Sequence, residues 1–379
     1  MNTYTNYLIL IIAFLLNSCN QTKVGILLEI PVDVNIGDSI LLSDITEDIT
    51  TVELELTDAS IIIPDAIARI IIAENNIIVA EKSLMGLSQI LIFNKDGKFV
   101  RSIGSRGQGP GEFNIIENVA FDDKHNYIII ASWNPTKIIC YHLNGKFIKE
   151  LQFNRIYPFR DINYINNELF LDYIDVQNLK YAKRILYRMN DNFQVSDSII
   201  HRDNYFDKNY HNSFNFSDFI VKRSASIYLY FPEVYAKFMA PDIKVLRDTL
   251  YRLEDNQFVP ELKLKFRNDG IDRYGDKIID LYNLYRSSRY IFANYEYNPN
   301  NRVQITEQPT RYYFCYDTKT GKGYNMQDGY TDDINGIEKR VSIRPLSTDS
   351  EYFYYWYTHM KPNDLEEPNP TLYIGKLKK

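Results

Sequence analysis

Two segments of this chain repeat one another: "QILIFNKDGKFVRSIG" from Gln89 to Gly104 and "KIICYHLNGKFIKELQ" from Lys137 to Gln152, offset by 48 residues between Gly97 and Gly145. Each reads as an apolar run, a turn ending in Asp-Gly or Asn-Gly, then Lys-Phe and a second extended run. Asp-Gly and Asn-Gly tolerate the positive φ of tight hairpin turns, so both segments are predicted to be β-hairpins. Further strand-like runs precede each hairpin, "IARIIIA" and "NIIVAE" before the first, "IENVAFD" and "NYIIIAS" before the second. Four antiparallel strands recurring every 40 to 50 residues or so are the pattern of a propeller blade.

Weaker copies continue the series. "LFLDYID", "RILYRMNDNF" and "QVSDSII" suggest a third unit; "SIYLYFP", "DTLYRLEDNQ" and "FVPELKLKF" a fourth; "RYIFANYEY", "TRYYFCYDTKTGK" and "GYNMQD" a fifth; "EYFYYWYTH" and "TLYIGKLK" most of a sixth. The sixth lacks an outer strand, and "GILLEIPV" at Gly25 to Val32 is expected to supply it, which would close the ring and hide two sheet edges. With 31 Tyr and 21 Phe the composition favours strands, because flat aromatic side chains suit a pleated, half-buried surface. One stretch interrupts the pattern: Ile271 to Tyr290 places Ile278, Leu281, Tyr282 and Tyr285 at helical spacing, with Asp272 or Asp276 as a start signal. It predicts an inserted helix packed against sheet edges. The expected fold is therefore all-β, a six-bladed β-propeller of four-stranded antiparallel blades, its ring closed by an N-terminal strand, with one short inserted helix.

The N-terminus carries an address. "LILIIAFLL" from Leu8 to Leu16 is too short to span a bilayer as a helix, which takes about 20 residues, but matches the apolar core of a signal peptide. It is followed by "LNSC", which resembles a bacterial lipobox, with Cys19 as the residue that takes the lipid. This divides the chain into a lipoprotein signal over 1–18, a lipid-anchored tether over 19–24 and one propeller domain over 25–379. Six residues reach at most about 20 Å when extended, which holds the domain near the membrane. Asn20 is not an inner-membrane retention aspartate, and "NQTKV" lacks an acidic run of the surface-export kind. The expected location is the outer membrane, on its periplasmic face, as a monomer.

"GSRGQGPGEF", Gly104 to Phe113, invites comparison with phosphate loops, but no Gly-Lys-Ser/Thr follows its glycines, and it opens into a strand rather than a helix. Gly104, Gly107, Gly109 and Gly111 are assigned to a folded crossover between the first and second units, with Arg106 and Glu112 placed to pair across it. A net charge of −6 argues against nucleic acid as a partner. No serine-nucleophile motif occurs, so no catalytic residue is assigned. Cys140 and Cys315 sit in separate strand-like runs without metal-ligand spacing and are expected to be buried free thiols.

The segment from Gly104 to Leu151 resembles an NHL-type blade. The whole chain is similar to the six-bladed propeller lipoproteins of Bacteroidetes-type bacteria, carried by "TVELELTDASII", "IGSRGQGPGEF", "RDTLYRLEDNQFVPELKLKF" and "NPTLYIGKLKK". The resemblance implies fold and export, not a reaction. Where NHL blades usually carry Asp after the second strand, this chain has Glu81 and Ser132.

Two functions follow. Loop aromatics Tyr205, Tyr210, Tyr295 and Tyr297 suit a binding module for a glycan, a peptide or an envelope protein, because Tyr combines large contact area with a polar tip. The alternative is a calcium-dependent hydrolase or lyase with the ion in the central channel. Its acidic and amide candidates are Glu74 and Asn75, Glu117 and Asn118, Asp161 and Asn163, and Asp332 and Asp333, oxygen ligands that suit Ca2+ better than zinc. Carboxylates from three blades converging on the channel would favour the enzyme.

Overall fold

The computed structural model describes residues 27–34, 39–82, 88–153, 159–177, 181–205, 220–232, 246–271, 278–298, 309–360 and 367–379. Two N-terminal strands, β1 (Leu28–Val32) and β2 (Thr46–Glu53), flank a single helical turn, α1 (Leu42–Ile45). The first full sheet then runs β3 (Ile67–Ile72), β4 (Asn76–Glu81), β5 (Gln89–Asn94) and β6 (Phe99–Ser102). The second has β7 (Ile115–Asp122), β8 (Tyr127–Trp133), β9 (Lys137–His142) and β10 (Phe147–Gln152). The third has β11 (Phe159–Ile165), β12 (Glu168–Gln177), β13 (Tyr181–Met189) and β14 (Val195–Tyr205). The fourth has β15 (Ile220–Arg223), β16 (Ser226–Tyr230), β17 (Thr249–Glu254) and β18 (Gln257–Phe266). The fifth has β19 (Ile279–Arg286), β20 (Tyr290–Tyr297), β21 (Thr310–Asp317) and β22 (Lys322–Gln327). A small hairpin, β23 (Tyr330–Asp332) and β24 (Ile337–Val341), precedes the sixth sheet of β25 (Arg344–Leu346), β26 (Asp349–Tyr357) and β27 (Thr371–Leu377).

Among the described residues, the strands of the first, second, third and fifth sheets and the runs β15–β18 and β25–β27 lie side by side in chain order as antiparallel meanders, with β1 and β2 added at one edge of the fourth and sixth sheets. This is the construction of β-propellers. The sequence dictates it through runs that are apolar on both faces. In the first sheet, Ile78, Ala80, Ile90 and Ile92 pack with Ile116, Val119, Ile128 and Ile130 of the second. Their neighbours Ile77, Val79, Leu91 and Phe93 point the other way, against Tyr354 and Leu372 of the sixth. A strand with both faces buried cannot alternate apolar and polar residues, hence "NIIVAE" and "QILIFN". Burying one such isoleucine contributes about 1.5–3 kcal/mol. Further clusters join the second sheet to the third, the third to the fourth, the fourth to the fifth and the fifth to the sixth.

Two expectations are corrected. The strand within Gly25–Val32 does not complete the last sheet: β1 pairs in parallel with β18, as a fifth strand on the outer edge of the fourth sheet. The partner of the last strand is β2, antiparallel to β27 from Thr46 opposite Leu377 to Glu53 opposite Thr371. Its burial pattern shows why it was passed over: only Thr46 and Val52 of its eight residues are buried, since it pairs on one edge and faces solvent on the other. The second correction concerns the helix expected over Ile271–Tyr290. Ile279–Arg286 is strand β19, paired with β20. A β-bulge between Leu281 and Asn283 shifts the register, so the buried side chains run Ile279, Leu281, Asn283, Leu284, Tyr285. One extra residue in a period-two strand changes its phase and mimics the three-to-four spacing of a helix.

Candidate functional site

The first strands of three sheets meet through one buried guanidinium. Arg69 on β3, 2% exposed, donates from Nη1 to the carbonyls of Val119 (2.9 Å) and Ile162 (2.6 Å) and to Asn163 Oδ1 (3.2 Å), and from Nη2 to Asp161 Oδ1 at 2.8 Å. The Asp161 carboxylate, fully buried, also accepts from Asn118 Nδ2, from Asn163 Nδ2 (2.9 Å each) and from the Ile162 amide. Asn118, Asp161 and Asn163, which the sequence offers as two separate candidate pairs, are thus brought together by a residue that sequence reasoning missed. Arg69 stands in a strand of isoleucines, and a single basic residue in "IARIII" is the signal that marks it. The arrangement compensates one buried carboxylate with one guanidinium and several amides, as a buried charge requires. Glu117 is likewise taken, by Lys82 at 2.6 Å with both side chains buried.

Each of these three strands continues into the rim of a cavity of about 590 Å³. Ile71 and Ile72 of β3, Phe121 of β7, and Tyr164 and Ile165 of β11 form its apolar part. The segments that follow supply the rest: Ala73, Glu74, Asn75 and Asn76, then Asp123 and Asn126, then Asn166 and Asn167, with Lys222 of β15 and Thr348 after β25. Five of the six sheets contribute, and Lys222 N–H donates to Ser347 O to tie the fourth to the sixth. Asn126, Asn166 and Asn167 have φ of 55°, 54° and 62°, the left-handed conformation that asparagine tolerates in tight turns. The side chains of Glu74, Asn75, Asp123, Asn166 and Asn167 are exposed.

Beside this cup lies a second group that sequence reasoning missed. Asp122, His125 and Asp191 carry ligand-type atoms within 4.8 Å of one another. Asp122 is buried; its Oδ2 is 2.6 Å from His125 Nδ1 and its Oδ1 accepts the His125 amide. Tyr164, which lines the cup, donates its hydroxyl to Asp191 Oδ1 at 3.0 Å, and burial together with that carboxylate raises the phenol's pKa. The signal was the D-x-x-H spacing in "DDKH", joined by a third residue 66 positions after His125 in another sheet.

The remaining candidates fall elsewhere. Asp332 is buried and accepts the Tyr355 hydroxyl at 2.6 Å, while Asp333 holds the Ser43 hydroxyl and amide at the start of α1. Tyr295 belongs to the core: it is 1% exposed, donates to Asn325 Oδ1 at 2.8 Å and stacks on Tyr312. This corrects its reading as a surface aromatic, because its place in β20 turns it into the interface with the fourth sheet. Tyr297, two residues on, is half-buried against the same cluster. Tyr205 ends β14 opposite Tyr181; Tyr210 and Cys19 lie outside the described residues. Tyr297 is not among the described residues that line the cup.

The glycine-rich segment runs from the end of β6 to the start of β7 with its amides already engaged. Gly107 N–H donates to Phe113 O, Gly109 N–H to Glu112 Oε2 and Gly111 N–H to Glu150 Oε2. Glu112 thus turns back onto the loop's own backbone rather than pairing with Arg106. Lys137 Nζ closes the arrangement on Gly109 O and Glu150. Backbone donors spent in this way do not cradle a phosphate.

Glu81, in the position where a resembling blade has Asp, is fully buried and accepts from the Ile63 amide and Gln89 Nε2. Burial raises its pKa. Ser132, its counterpart in the second sheet, is buried, and its Oγ has no hydrogen-bond partner among the described residues. Cys140 and Cys315 are buried free thiols, and burial pushes the Cys140 thiol up to about 12.

Comparison with known proteins places the chain. A family model described as a domain of unknown function, DUF4934, matches residues 27–379. The chain belongs to the DUF4934 family. Among solved structures, a Bacteroides fragilis protein described as exported is similar at 17% identity and a TM-score of 0.61, over 93% of this chain and all of that one. It shares the fold. A member of the DUF4221 family from Bacteroides vulgatus is similar at 9% identity and a TM-score of 0.46, over 90% of this chain and 98% of that one. The β-propeller domain of Cps50 from Myceliophteria thermophila gives 8% identity and 0.40, over 87% and 100%. No curated protein matches the sequence. Among the described residues of this DUF4934 chain, no helix is long and apolar enough to cross a membrane.

Proposed function

We propose that the chain is a lipid-anchored, six-bladed propeller of the cell envelope that binds a ligand in the polar cup formed by the turns after its inner strands. The carrying observation is that turns from separate sheets converge on one cavity while the network beneath them is internally satisfied. Ligand sites are concave places where a rigid scaffold presents loop residues. In this reading the six sheets are blades, β2 closes the ring on β27, and Cys19 carries the anchor that holds the monomer on the periplasmic face of the outer membrane. Its ligand in this reading is a glycan, a peptide or an envelope protein.

The test is thermal unfolding of the full chain in detergent against panels of oligosaccharides and peptides, because a ligand of the native state raises the midpoint. A rise abolished by Glu74→Gln with Asn75→Ala supports the cup; a rise those changes leave intact places the site elsewhere. Palmitate incorporation that disappears in Cys19→Ala supports the anchor, and undiminished incorporation refutes it.

A second reading has a specific observation in its favour. The Asp122–His125–Asp191 group beside the cup offers oxygen and nitrogen ligands to a divalent cation, as a metal-dependent hydrolase or lyase would need. Its place is the rim of the cup rather than the axis, where Asp161 is held by Arg69. A midpoint that rises with Ca2+ after chelation, and no longer does so in Asp122→Asn, would favour it.

A further inference from the structure

We infer that the cup takes a neutral, hydroxyl-rich ligand, the end of a glycan chain. The inference rests on the cup being the ligand seat and concerns its chemistry. Nine of the fifteen described lining residues are Asn, Asp, Glu, Lys or Thr, and five of these nine are asparagines. An amide presents a carbonyl acceptor and an NH2 donor side by side, and a sugar hydroxyl both donates and accepts, so adjacent amides match adjacent hydroxyls. The side chains of Asn75, Asn126, Asn166 and Asn167 make no hydrogen bond among the described residues, so the cup's donors and acceptors are available. Backbone geometry alone accounts for Asn126, Asn166 and Asn167, whose φ is positive. It does not account for Asn75 and Asn76, whose φ is not.

Charge and shape narrow the class. Among the described lining residues, Glu74 and Asp123 against Lys222 leave one net negative charge, which disfavours phosphate, sulfate and other polyanions. Phe121 and Tyr164 supply the partial apolar surface on which the C–H face of a pyranose rests. A peptide recognised by its side chains needs apolar recesses, and the turn portion of this lining is polar. The cavity, at about 590 Å³, falls within the roughly 300–1,000 Å³ of small-ligand sites and has room for a short oligosaccharide.

The experiment measures binding of the full chain in detergent to a glycan array carrying neutral and acidic glycans, with a peptide array beside it. The comparison variant carries Asn126→Gly, Asn166→Gly and Asn167→Gly, which keeps the positive φ without strain while removing three amides. Its unfolding midpoint is recorded to show that it folds, and if it does not, Asn75→Ala with Glu74→Gln replaces it. The expected result is selective binding of neutral glycans, weakened about tenfold or more in the variant. Peptide binding that depends on the cup residues overturns the ligand class and leaves the cup standing. Glycan binding indifferent to the variants overturns the cup, and an array on which only acidic glycans or nothing bind overturns the inference.

Discussion

At the scale of single residues, Arg69 and Asp161 decide how the first strands of the first three sheets are held together. Removing one member of a buried pair leaves the other charge uncompensated, at a cost of about 3–5 kcal/mol. Arg69→Met should lower stability to urea by that amount, and Arg69→Met with Asp161→Asn should recover part of it; a loss under about 1 kcal/mol would show that the pair organises nothing. Asp317 gives a pH test. Arg289, donating from Nε and Nη2 at 2.9 and 2.7 Å, holds its carboxyl down to about 2. A folded pKa below the unfolded value of about 3.9 means stability that is present above pH 4 or so and lost as pH falls towards 2. The stability gap between the native chain and Asp317→Asn should therefore narrow between pH 4 and pH 2, and a gap constant across that range would contradict the pairing.

At the scale of elements, the readable strands were those buried on both faces. "NIIVAE", "QILIFN", "YIIIASW" and "KIICYH" announce themselves as apolar runs, and their hairpin turns carry Asp-Gly and Asn-Gly. The first strands of later sheets were not legible. β11 and β15 mix apolar with charged and amide residues where they border the cup, and β25 is only three residues long. β19 was hidden by its bulge and β2 by its exposed outer edge. The cup was half legible: Glu74 and Asn75 stand out as acidic and amide residues at a strand end, but nothing local says that the turns of other sheets meet them there. Two equivalent turn glycines test how the sheets close on one another. Both have positive φ, 81° at Gly97 and 93° at Gly145. A methyl group on Gly97 would lie 1.9 Å from Glu53 O of β2, whereas on Gly145 the nearest atom is 3.8 Å away. Gly145→Ala should cost about 1–2 kcal/mol for the left-handed backbone alone, and Gly97→Ala clearly more. Equal midpoints for the two in urea would mean that the first sheet's hairpin does not abut β2.

At the scale of the whole molecule, apolar clusters lie between successive sheets, with the sixth packed on the first through Tyr354 and Leu372. This architecture buries Cys140 in the second sheet and Cys315 in the fifth. Neither thiol should react with a thiol reagent at pH 8 until denaturant unfolds the chain, and a mass-spectrometric Cys140–Cys315 disulfide in the native protein would contradict the arrangement. The same architecture gathers turns from four sheets and Lys222 of a fifth around one polar cup. Amide hydrogen exchange of the full chain in detergent, with and without a saturating mixture of neutral oligosaccharides, tests that cup most directly. The account predicts slowed exchange confined to residues 73–76, 123–126 and 164–167, and protection elsewhere, or none, would contradict it.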